Sequence, residues 1–166
     1  MCYSVYLASD QPLPLNAFDP ENRAFNATEL SDDHPVNPLL QKPFKVYLGS
    51  RTNCSCGLDF QLVEWIENNE PLDFTDQYTP EMMASELQEY ALEKKCLEDY
   101  FEYLRTALQY SDLEWLCCWD GEWDLPILRR DHLPAAVLSG EPVFQKNYPL
   151  ENRLYVYYDK ASTPNG

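Results

Sequence analysis

The stretch Asn53-Cys54-Ser55-Cys56-Gly57 comes closest to a chemical signature: two thiols one residue apart, closed by a glycine. Zinc is borderline-soft and takes thiolate sulfur in a tetrahedral shell, so Cys54 and Cys56 are candidate zinc ligands. Paired zinc ligands favour two to four intervening residues, so a site here needs partners from elsewhere in the chain. Cys2 is the first choice, with His34 or His132 to complete the shell. Of the adjacent Cys117 and Cys118 at most one can join, because neighbours on a strand face opposite ways. The same pair could run redox chemistry instead. Thiols this close form a strained, readily reduced disulfide, and Arg51 beside them favours the thiolate. The acidic field of the chain works against that, since negative charge raises thiol pKa values. The plain alternative is a tight turn in which Gly57 supplies an unusual dihedral and small Cys and Ser side chains fit. On balance the sequence favours the turn.

Other constellations are thinner. Asp120, Glu122 and Asp124 alternate like the first ligands of an EF-hand loop, but Leu125 and Asp131 stand where that loop needs glycine and a bidentate glutamate. A charged hairpin tip accounts for them better. Met1-Cys2 resembles, in those two residues, the start of class II glutamine amidotransferases, whose processed N-terminal cysteine is the nucleophile; Tyr3 stands where they carry glycine. With 5 glycines the chain has no phosphate-cradling loop of the Walker or dinucleotide type, and it has no G-x-S-x-G elbow. His34 and His132 lie near no serine nucleophile signature and read as structural. The common hydrolase, kinase and dehydrogenase readings fall away with these motifs.

Charge narrows the partners. Lys and Arg number 12 against 28 Asp and Glu, a net charge of −16. A surface of that sign repels phosphate backbones and anionic lipid head groups, so neither nucleic acid nor membrane is expected as a partner. Residues 76–124 concentrate the effect, with 13 acidic and 3 basic residues. That density reads first as a solvated helix face, and second as a surface that docks a basic protein partner. No run of apolar residues is long enough to span a bilayer, and the first residues lack a basic, then apolar, export signal. The expected compartment is the cytoplasm, with the 6 cysteines kept as thiols or metal ligands.

Two function classes follow. One is an interaction or regulatory protein using its acidic and aromatic surface. The other is a thiol or zinc site at the Cys54-Ser55-Cys56 loop supporting redox, metal-binding or enzymatic work, which predicts a concave pocket with Cys54 and Cys56 at its rim.

The elements that must position these residues are legible from periodicity. Hydrophobic residues make up 45% and aromatics 14% of 166 residues, enough for a real core in one globular domain over 1–166. Strands are expected at 3–8, 44–49, 58–63, 114–119 and 154–158, with 44–49 and 58–63 forming a hairpin around the thiol loop. Six prolines between 12 and 43 forbid a long helix there. The segment at about 10–43 is therefore read as an ordered, Pro-rich meander laid over the core. A long amphipathic helix is predicted over 80–109, with Thr79 as cap, Pro80 in the first position and Glu81 in the first turn. Its apolar stripe runs through Met83, Leu87, Tyr90, Leu97, Phe101, Leu104 and Leu108. Asp120-Gly121 predicts a tight turn after 114–119, with Trp123 to Ile127 returning as a hairpin partner. The fold class is α+β, with a mixed or mainly antiparallel sheet.

Overall fold

A computed structural model describes residues 3–58, 79–121, 123, 126–127, 129–134 and 153–158. Six strands form one sheet: Tyr3–Ser9 (β1), Asn26–Glu29 (β2), Phe44–Gly49 (β3), Leu113–Trp119 (β4), Arg129–Pro134 (β5) and Arg153–Tyr158 (β6). Their spatial order is β2-β3-β1-β4-β6-β5. Every pairing is antiparallel except β5 with β6. One long helix among the described residues, Pro80–Leu108 (α1), completes an α+β fold. Among the described residues no helix is long and apolar enough to cross a membrane.

The helix starts where its cap chemistry says it should. Thr79 accepts a hydrogen bond from the Met82 N–H at 3.3 Å, Pro80 opens the first turn, and Glu81 follows it. Its buried side is Cys96, Leu97, Tyr100, Leu104, Ala107 and Leu108, with Phe101 and Tyr103 partly covered. This stripe packs on the sheet face carrying Val5, Leu7, Val46, Leu48, Leu113, Trp115 and Cys117, beneath Leu13, Phe25 and Ala27 of the meander. Trp115 Nε1 donates to the Tyr100 hydroxyl at 2.6 Å, so a buried indole N–H finds its acceptor across the helix–sheet interface.

The alternate residues of the same strands face the other way. Tyr6, Ala8, Leu116 and Cys118 form a second core with Val36 and Leu40, bordered by Tyr47, Trp123 and Ile127. The sheet is thus covered on both sides. That explains why β4 is buried from Leu113 through Cys118 rather than at every second residue. Cys117 and Cys118 divide between the two faces, as their adjacency predicts.

Three expectations need correction. The meander is more than a cover: it contributes β2, whose pairing with β3 runs from Asn26↔Gly49 to Glu29↔Val46. That strand takes the free edge of β3, while β1 holds the other edge from Val5↔Leu48 to Ser9↔Phe44. Both edges of β3 are thus held by β1 and β2, and Leu58 closes a 3-10 turn over Ser55–Leu58 instead of starting a strand; 59–63 lie outside the described residues. The turn at Asp120-Gly121 does form, with Gly121 at φ 93. Yet β4 pairs with β6 over Leu113–Cys117, and the strand after that turn, β5, pairs with β6 alone among the described residues.

Candidate functional site

The thiol loop is held by its serine. Ser55, 1% exposed, accepts from the Val5 N–H at 2.9 Å and donates to the Leu48 carbonyl at 2.6 Å, bridging β1 and β3 across a registered pair. Its own N–H donates to the Tyr47 hydroxyl at 3.1 Å, and that hydroxyl donates to the Asn53 carbonyl at 3.3 Å. The chain turns through Asn53, whose φ of 58 lies in the left-handed region that asparagine tolerates. Gly57 is needed for space, not for an unusual dihedral: a Cβ there would collide with the Ser50 side chain, whose Cβ would lie 2.7 Å away.

The two thiols flank this anchored serine and are half-buried. The Cys56 N–H donates to Cys54 Sγ at 3.4 Å, which turns the Cys54 sulfur into the loop's own backbone. Arg51 is occupied elsewhere. Its guanidinium binds Glu89 and, at 3.3 Å, Glu93 on α1, so carboxylates match its charge. Among the described residues no group of three metal-ligating side chains forms. Cys2 lies outside them, Cys117 and Cys118 are buried in separate cores, and His132 is exposed on β5. Of the described members of the sequence-predicted zinc set, the structure places Cys56 next to Cys54 in the loop and His34 in one cleft lining with Cys54.

Cys54 does face a cavity. A cleft of about 320 Å³ opens on the sheet face opposite α1, lined by Ser4, Tyr6, His34, Tyr47, Asn53, Cys54 and Asp120. Each arrives for a local reason. Ser4 and Tyr6 are two residues apart on β1 and so share a face. Tyr47 is the registered partner of Tyr6 on β3, and the rings meet edge-on at 5.9 Å. His34 is set by a turn closed by its own side chain, Nδ1 accepting the Val36 N–H at 3.2 Å. That bond leaves the ring proton of neutral His34 on Nε2. The His34 ring lies 5.4 Å from Tyr6 and 5.4 Å from Trp123, and Trp123 Nε1 donates to the Tyr6 hydroxyl at 2.9 Å. Asp120, exposed, stands at the turn after β4.

The electrostatics of the cleft keep its ionisable rings neutral. Burial pushes the Tyr6 phenol up to about 12, against hydrogen bonds from Ser4 and Trp123 that pull it down. Burial raises Tyr47 as well. For His34 burial lowers the pKa, opposed by the nearby carboxylates of Asp120 and Asp33. At neutral pH the described lining therefore offers two phenols, a neutral imidazole, a serine hydroxyl, a cysteine sulfur, an amide and one carboxylate.

Periodicity had placed Tyr6 and Tyr47 on strands without marking them as site residues. The available signal was a hydroxyl-bearing aromatic at matching positions of YSVYLA and FKVYL, where a purely structural strand needs no hydroxyl. Glu114 was also missed, counted among the surface acids of 76–124. It is 2% exposed and accepts from the Gln41 N–H at 2.6 Å, the Lys42 N–H at 3.0 Å and Arg130 at 3.0 Å. Within that acidic segment Glu81, Glu98 and Glu102 remain exposed on α1, whereas Glu89 and Glu93 serve Arg51.

No protein-family model matches this chain, and no curated protein or solved structure does either.

Proposed function

We propose that this chain is an interaction protein whose recognition point is the cleft between Tyr6, His34 and Tyr47, with Asp120 beside it. The observation that carries this reading is the lining itself. A concavity of about 320 Å³ that joins ring surface with several distinct polar groups has the make-up of specific binding sites. The exposed acids of α1 and the net charge of −16 add a field that draws basic partners toward the protein. A chemical-shift screen with small fragments tests the reading. Expected are shifts clustered on Ser4, Tyr6, His34, Tyr47, Asn53 and Cys54; shifts clustered on α1, with the cleft silent, would turn the proposal down.

A second reading, thiol chemistry at Cys54, is favoured by the presence of Cys54 and neutral His34 in the same cleft lining. It expects Cys54 to be alkylated by iodoacetamide in the native protein well before Cys96, Cys117 and Cys118, which are buried. The zinc variant of this reading expects stoichiometric metal in protein purified without chelator, lost on Cys54→Ser. Elemental analysis that finds only trace metal removes it.

A further inference from the structure

The cleft lining is unbalanced in charge. Among the described lining residues Asp120 brings a carboxylate, burial holds His34 neutral at pH 7, and none is Lys or Arg. The chain's net charge of −16 adds a long-range field of the same sign. Anions are disfavoured both on approach and at contact. A neutral ligand could gain a hydrogen bond to Asp120 but not the charge attraction that a cation gains.

Ring geometry points the same way. Tyr6 sits 5.4 Å from His34 at 60° and 5.9 Å from Tyr47 at 61°. Tyr6, 1% exposed, backs the cleft, while half-buried His34 and Tyr47 carry its accessible ring surface. An aromatic face carries the negative side of its quadrupole and attracts a cation, most strongly where water is partly excluded. Burial keeps His34 neutral near pH 7, so its ring adds surface there without adding an opposing charge. The volume of about 320 Å³ lies at the small end of ligand pockets and so suits a small head group.

We propose that this cleft binds an organic cation, an alkylammonium head group set against the Tyr47 and His34 rings with Asp120 as its counter-ion. The proposal rests on the reading of the cleft as the recognition point. A free small amine and a basic side chain presented by a partner protein share this chemistry, and the test separates them.

The test is an NMR titration of the full chain with three probes: choline, its uncharged isostere 3,3-dimethylbutan-1-ol, and a short lysine-rich peptide. Choline is expected to shift Ser4, Tyr6, Tyr47, Asn53 and Cys54, with the isostere binding about tenfold more weakly or worse. Asp120→Asn, at an exposed position that leaves both cores intact, should weaken choline by about tenfold. Tyr47→Phe and Tyr47→Leu both remove the hydroxyl that holds Ser55 and Asn53, so the ring is read from their difference: Tyr47→Leu should bind choline much more weakly than Tyr47→Phe. Saturation by the peptide at lower concentration than choline identifies a protein side chain as the source, and the reverse identifies a free amine. Equal binding of choline and its isostere, or no effect of Asp120→Asn, overturns the cation proposal. If choline is silent while neutral fragments shift the same residues, the cation falls and the cleft reading stands. If no probe shifts those residues, both fall.

Discussion

At the residue scale, the stability of the thiol loop belongs to Ser55 rather than to its sulfurs. Its hydroxyl satisfies one backbone N–H and one carbonyl on neighbouring strands, in a place closed to water. Ser55→Ala leaves both without that partner and should cost about 1–3 kcal/mol in urea denaturation. Cys54→Ser and Cys56→Ser should cost clearly less, because both thiols are half-buried; a Cys54→Ser loss as large as that of Ser55→Ala would shift the structural role onto sulfur. His34 carries a second prediction at this scale. Tyr6, Trp123 and the carboxylates of Asp33 and Asp120 surround it, and burial outweighs the carboxylates, so the folded state holds a proton less readily than the unfolded chain. The stability His34 contributes is therefore complete above the unfolded pKa of about 6.5 and is lost as pH falls through it toward the lower folded value. Protonation at Nδ1 would also break the bond from the Val36 N–H. The melting temperature of His34→Gln should fall less between pH 7 and pH 5 than that of the parent protein. Parallel curves would show that His34 does not contribute.

At the element scale, the meander is fastened to the sheet and helix by a few polar side chains. Glu114 receives the backbone N–H groups of Gln41 and Lys42 from within β4, and Tyr103 on α1 donates to the Pro14 carbonyl at 2.9 Å. Removing the carboxylate leaves two N–H donors and Arg130 without their acceptor. Glu114→Ala should destabilise by about 3 kcal/mol, with faster limited proteolysis within residues 30–43. An unchanged cleavage pattern would show that Val36 and Leu40 hold the segment without help. The helix is fastened by packing instead. Leu104, fully buried against the sheet, should cost about 2–5 kcal/mol as Leu104→Ala, whereas changes at exposed Leu92 should be nearly silent.

At the scale of the whole molecule, charge dominates. A net charge of −16 on 166 residues means self-repulsion in the compact state, screened by salt within about 10 Å at 0.1 M. Adding KCl should raise the melting temperature by a few degrees, and a flat or falling response would mean that the ion pairs of Arg51 and Arg130 outweigh the repulsion. The same sign predicts no mobility shift with duplex DNA even at low salt, where attraction to phosphates is strongest.

What the sequence determined by itself is what local chemistry decides. The start of α1 was legible because Thr79, Pro80 and Glu81 satisfy the first turn from within it. The strands at 3–8, 44–49, 114–119 and 154–158 were legible from their residue types, and the opposite facing of Cys117 and Cys118 followed from the pleat. Pairing was not legible, because it depends on which edges are already taken. A four-residue strand from the Pro-rich meander occupied the edge of β3 on which the predicted hairpin relied, and β6 came between β4 and β5. The candidate site shows the same division. Cys54 and Cys56 could be picked out as neighbours in the chain, but the cleft draws on residues from 4 to 120 that only folding brings together. Tertiary structure also reversed the meaning of single residues. Glu114 became an internal anchor and Ser55 a clamp, because burial and a backbone partner, not residue type, decide what a polar side chain does.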